Sequence, residues 1–130
     1  MELNADCVRD VLISLEGCEF HEHMTLDMLV DKLPDYSEEQ LWYTCLKLEE
    51  GGYLDLMTVQ MLRMTMPAIK QINSITFAGH EFLNTVRENK NWKKAKDIAK
   101  AAGAFSIKAL GDIAKEVAAA AIKAALQSPP

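Results

Sequence analysis

A mainly α fold with one small β-hairpin is predicted by three observations in this 130-residue chain. Three helix-period segments each follow a capping residue, two alternating β-branched stretches come next, and further helix-period segments close the chain. With 49% of its residues hydrophobic, a chain of this length can bury one real core and one appended element.

The first helix runs from about Asn4 to Glu16. Asn4 can cap it, Val8, Val11, Leu12 and Leu15 share a face, and Gly17 can end it. The segment "GCEFHEHM" reads as a loop. A shorter helix then starts at Thr25, turns Leu26, Leu29, Val30 and Leu33 inward, and stops at Pro34, which cannot donate to the next helical turn. Ser37 with Gln40 three residues later is a capping-box pattern, so a third helix is expected over Glu38–Glu50, ended by Gly51 and Gly52. At 100° per residue, Leu41, Thr44, Cys45 and Leu48 form its core face. Glu39, Tyr43, Leu46, Lys47 and Glu50 point the other way, with Trp42 on the flank.

"YLDLMTVQML" and "IKQINSITF" alternate and are rich in β-branched residues, which predicts a hairpin joined through "RMTMPA". "AGHEFLNTVREN" follows as a short helix with Phe82, Leu83 and Val86 inward. "NWKKAKDIAKAA" is basic and helical until Gly103, and an alanine-rich helix is expected from Ala104 to Gln127. Helix–helix–helix–hairpin is the order of a winged helix-turn-helix core. The expected organisation is therefore a winged-helix domain over residues 1–90 and a basic, alanine-rich helical tail over residues 91–130, the C-terminal helical extension.

Charge is divided more sharply than the net value of −5 suggests. Residues 1–60 hold 14 acids against 3 bases, and residues 61–130 hold 11 bases against 5 acids. Such polarity favours contact between unlike halves of the same or neighbouring molecules. No basic region, apolar run and small-residue cleavage site occur together near the N-terminus, which predicts a cytoplasmic protein. Cys7, Cys18 and Cys45 lack C-x-x-C spacing and read as reduced, small apolar residues.

Four stretches carry a family resemblance: "VRDVLISLE", "YSEEQLWYTCLKLEEGGYL", "ITFAGHEFLNTVREN" and "WKKAKDIAKAAGAFSIKALGDIAKE". Together they resemble the uncharacterised bacterial and prophage family catalogued as domain of unknown function 2513, related to YjcQ-like winged-helix proteins. Its most specific pieces are "T-x-x-G-H-E-F-L" at Thr76–Leu83 and "W-K-K" at Trp92–Lys94. The resemblance implies a winged-helix core with a helical tail, a structural role for the matching positions, and a prophage or phage-defence setting. It implies no reaction and no catalytic residues. The tail "EVAAAAIKAAL" is richer in alanine than the resemblance leads one to expect.

His21 and His23 in "HEH" lack a third ligand fixed by spacing, so no metal is expected. His80 with Glu81 has the composition of an acid–base pair, but at a strand-to-helix junction both can simply serve the first helical turn. The chain has no Walker loop, G-x-S-x-G or paired-carboxylate motif, and a non-enzyme without cofactor is the expectation. Base reading by the third helix needs cations and amides, yet its outward face offers Glu39, Glu50 and only Lys47.

A nucleic-acid surface, if there is one, is expected at Arg87, Lys90, Lys93, Lys94, Lys96 and Lys100; the competing reading is a solvated or ion-paired helix face. Trp42, Tyr43 and Leu46 suggest a protein contact, or a surface covered by the protein's own tail.

In the last helix Lys108, Asp112, Lys115, Glu116, Lys123 and Gln127 form a polar stripe only about 120° wide. The remaining surface needs a partner. Charges interrupt it too often for a membrane span. The expectation is a homo-oligomer, dimer or higher, held by Phe105, Ile107, Leu110, Ile113, Val117, Ile122 and Leu126. The function expected is contact with other proteins and self-association, with a DNA-binding regulator using the basic tail as the alternative.

Overall fold

The structure is a computed structural model that describes residues 1–103 and 106–127. The expected Phe105 contact and the first residue of the expected last helix, Ala104, lie outside the described residues. Six helices and a two-stranded antiparallel hairpin occur among the described residues. Their order is α1 (Ala5–Glu16), α2 (Leu26–Lys32), α3 (Glu38–Glu50), β1 (Leu54–Val59), β2 (Ala68–Ile75), α4 (Phe77–Val86), α5 (Asn89–Ala102) and α6 (Ile107–Gln127). The fold is mainly α with one small hairpin, as the periodicity predicts.

The first three helices start where their caps allow. Asn4 Oδ1 accepts from the Cys7 N–H at 2.9 Å, Thr25 Oγ1 from Met28 at 3.3 Å and Ser37 Oγ from Gln40 at 3.1 Å. Each bond satisfies an N–H that the helix itself leaves without a partner. Cys7, Val8, Val11, Leu12 and Leu15 of α1 are buried, as are Leu41, Thr44, Cys45 and Leu48 of α3. In α2, Leu29 is fully buried, whereas Leu26, Val30 and Leu33 are half-buried. A seven-residue helix presents too short a face to bury all four.

The hairpin is shorter than the alternation predicts. Gln60 Nε2–H donates to Met64 O at 2.9 Å and so ties the connection across itself, and residues 60–67 form a loop rather than strand. Two irregularities of register, between Asp55 and Leu56 and between Met57 and Thr58, bend the ladder. Leu54, Leu56 and Ile72 point into the core. A single antiparallel bridge adds Met24, whose carbonyl accepts from Ile72 N–H at 2.8 Å, so the end of the α1–α2 loop pairs with β2.

Phe77 is the first residue of α4 and is 80% exposed, not the end of a strand. Thr76 is the reason. Its hydroxyl donates to Gly52 O at 2.5 Å while Oγ1 accepts from Gly79 N–H at 3.1 Å, and its own N–H donates to Tyr53 O at 3.0 Å. These three bonds start α4 and fasten it to the turn after α3. A Cβ on Gly79 would run into the Tyr53 carbonyl oxygen and lie 2.6 Å from Ile75 Cγ2, so only glycine permits this approach.

The chain separates into two compact units, Met1–Glu81 and Phe82–Pro130. They meet nine residues before the boundary drawn at residue 90 from composition. In the second unit α5 packs on α6, and Phe82 seats against Gly111, where a Cβ would stand 3.2 Å from the ring. Trp92, Ala95 and Ala99 of α5 and Leu110, Ala114 and Val117 of α6 are buried. Gly103 closes α5 in the left-handed region at φ 70°, with its N–H donating to Lys100 O at 3.3 Å.

Candidate interaction surfaces

The outward face of α3 is held by its own contacts. Lys47 Nζ donates to Glu50 Oε2 at 3.0 Å and sits 5.6 Å from the Tyr43 ring centre. That hydrogen bond raises the Lys47 ammonium above its ordinary value. The side chain is thus directed to partners within α3, a poor starting point for phosphate. Glu49 is also engaged, accepting from Leu56 N–H at 3.0 Å and joining α3 to β1.

Trp42, Tyr43 and Leu46 are half-buried. Trp42 Nε1–H donates to Pro67 O at 2.9 Å, which fixes the loop end of the hairpin, where β2 begins, to α3. The ring also borders a cleft of about 340 Å³ with Thr25, Glu38, Ile69 and Lys70. Tyr43 and Leu46 keep part of their surface in solvent.

The widest display of apolar groups lies on the hairpin. Met57, Val59, Met61 and Met64 are 41–49% exposed and Leu62 is 95% exposed. Arg63 at the tip adopts φ 68°. Alternation in the sequence marks this segment as a hairpin and its connection without marking it as an apolar surface. The available signal was the clustering of methionine: four of the seven fall between Met57 and Met66. Methionine is flexible and polarizable, and it adapts to irregular partner surfaces.

A second apolar surface lies at the end of α6. Leu110 and Val117 are spent within the fold, and Ile107 and Ile113 are half-buried. From Ala119 to Gln127 every residue is exposed, with Ile122 at 62% and Leu126 at 81%. The expected association residues therefore divide into an inner set that builds the second unit and an outer pair that is open. At 100° per residue Ile122 stands about 140° around α6 from Val117, so the open pair lies on a different side of the helix from the inner set.

On α5, Lys90, Lys93, Lys94 and Lys100 are exposed, while Lys96 lies 5.7 Å from the buried Trp92 ring centre. Arg87 is directed by a bond from Nη2–H to Asn84 Oδ1 at 2.9 Å. The expected basic cluster thus includes four open lysines along one helix.

The histidines are arranged differently from the sequence pairing. His80 and Glu81 are both exposed on α4, and His80 lines a cleft of about 440 Å³ with His23, Cys18 and Glu16 over Leu15 and Ile72. His21 instead meets Phe20 edge-on, with ring centres 5.1 Å apart. No group of three or more His, Cys, Asp or Glu is placed to hold a metal among the described residues. The buried thiols are poor nucleophiles. Burial pushes Cys45 up to about 12, and burial raises Cys7 against the opposing hydrogen bond with Thr44. No helix among the described residues is long and apolar enough to cross a membrane.

The family model described as hypothetical protein (DUF2513) matches residues 2–105. No curated protein and no solved structure matches the chain.

Proposed function

The chain belongs to the DUF2513 family of hypothetical proteins, and from that footing we propose that it is a non-enzymatic winged-helix protein acting by protein–protein contact and self-association, in prophage or phage-defence biology. The winged-helix reading draws support from the helix–helix–helix–hairpin order. It also draws support from the bridge of Met24 to Ile72, which adds the short extended segment that such domains place between their first two helices. The setting rests on the family resemblance.

The observation that carries the interaction reading is the exposed apolar surface on the hairpin and on the last turns of α6. Clustered large apolar groups in water favour a partner. The acidic outward face of α3, with Lys47 already paired to Glu50, argues against the groove-reading use of this scaffold. Sedimentation velocity over a range of concentrations tests the proposal. The full chain should exceed the monomer mass at tens of micromolar, and Ile122→Glu with Leu126→Glu should return it to monomer without loss of helical circular dichroism. A full chain that stays monomeric throughout overturns self-association.

The second reading, a DNA-binding regulator, is favoured by one observation. Lys90, Lys93, Lys94 and Lys100 stand exposed along α5 and form a basic ridge independent of α3.

A further inference from the structure

The self-association proposed above needs a mode, and two surfaces compete to supply it. One is α6 against the α6 of another copy. The other is α6 against the hairpin of another copy. We propose the second: the exposed end of α6 in one copy docks on the methionine-rich hairpin of a second copy, giving a head-to-tail contact.

Size and chemistry agree. Ala119, Ile122 and Leu126 recur at three and four residues and so form one stripe. Ala119–Gln127 extends about 13 Å at 1.5 Å per residue, against about 20 Å for a six-residue strand such as β1. The helix end fits along the hairpin. Met57, Val59, Met61, Leu62 and Met64 supply large, mostly unbranched and adaptable side chains, the kind of surface on which amphipathic helices lay an apolar face. Alanine at the helix surface permits close approach.

Charge selects the unlike pairing. The unit Met1–Glu81, which carries the hairpin, has 15 acidic against 5 basic residues, and Phe82–Pro130, which carries α6, has 4 acidic against 9 basic. Their net charges are −10 and +5. Hairpin unit and α6 unit of different copies attract one another, whereas two α6 units repel and also bring Lys115 and Lys123 near their own images. An α6 pair further offers only Ile122 and Leu126 from each side as large exposed groups. The hairpin offers five. An anionic lipid surface is a poor occupant for the same reason, because the hairpin belongs to the strongly acidic unit.

A head-to-tail contact makes a prediction that a two-fold contact does not. Each copy has one donor surface and one acceptor surface, so two differently disabled copies can complement each other. The experiment uses full-length protein with Met61→Glu and Leu62→Glu in one variant and Ile122→Glu and Leu126→Glu in another, with circular dichroism confirming that both fold. All four positions are exposed, so the fold does not depend on them.

The expected result is at least a tenfold loss of self-association in each variant alone. An equimolar mixture then forms a one-to-one dimer, since the intact α6 of the first meets the intact hairpin of the second. A mixture that remains monomeric overturns the inference. Wild-type association in the hairpin variant, with loss in the α6 variant, overturns it in favour of α6 pairing while self-association stands. Monomeric wild-type protein overturns both.

Discussion

At the residue scale, two weak acids, the half-buried Tyr36 and the buried Cys45, set a pH dependence. Tyr36 Oη–H donates to Asp10 Oδ2 at 2.6 Å across the contact of α1 with the segment before α3. Burial first, then this hydrogen bond and the Asp10 charge, push the phenol well above its ordinary value. Cys45 is pushed up to about 12, chiefly by burial. Both groups are neutral when protonated, and both are raised by the fold. Their contribution to stability is therefore complete below the unfolded-state values, about 8.5 for a thiol and about 10 for a phenol. It is lost as pH climbs through the folded values, because the unfolded chain gives up its protons first. Urea denaturation should show a steady midpoint from neutrality to about pH 8.5 and a decline above it. Tyr36→Phe should cost about 1–2 kcal/mol at neutral pH and flatten the part of the decline above about pH 10. An unchanged alkaline profile in that variant would show that the Tyr36–Asp10 bond does not contribute. Under native conditions a thiol reagent should label Cys18 before Cys7 and Cys45, which are buried.

At the scale of elements, the motif "T-x-x-G-H-E-F-L" has a mechanical explanation. Thr76 bonds α4 to the turn after α3, and Gly79 leaves room for the Tyr53 backbone. The phenylalanine and leucine that end the motif are buried, Phe82 against Gly111. Gly79→Ala forces a Cβ into backbone that cannot swing aside as a side-chain tip can. The expected cost is about 1–3 kcal/mol or more, read as a fall in the thermal midpoint of several degrees. Gly52→Ala would also be strained, but through its φ of 85° rather than through contact. Should Gly79→Ala melt with wild type, the α4 start is looser than these bonds imply. Thr76→Val separates the two parts, because it removes the hydroxyl bonds and leaves the space at Gly79 untouched.

At the scale of the whole molecule, charge argues against duplex DNA as a partner. Duplex DNA binds through neutralised phosphates, and the chain is at −5 overall with its bases concentrated after residue 82. Fluorescence anisotropy with random duplex DNA near physiological salt should show no sub-micromolar binding. Tight, salt-sensitive binding that disappears on Lys93→Ala with Lys94→Ala would favour the regulator reading instead. Binding lost on replacing Glu39 or Glu50 would contradict the role given to α3.

The helices and the order of elements are legible along the chain, because caps, helical period and chain breakers act within a few residues of one another. Asn4, Thr25 and Ser37 are legible as caps because each side chain meets an N–H three residues ahead. The core face of α3 follows from its 100° spacing, and its four residues are buried. What tertiary structure decided depends on residues distant in the chain. Trp42 stands on the flank of α3 by periodicity, yet its bond to Pro67 requires the hairpin to fold back across 25 positions. Val117 and Ile122 both fall outside the polar stripe of α6 in the sequence, about 140° apart, and only packing decides that the first is buried and the second open. The same holds for the hairpin methionines, whose exposure appears only when Leu54 and Leu56 have turned to the core. Local hydrogen bonding and periodicity can be read along one segment. Burial is a property of what arrives from elsewhere.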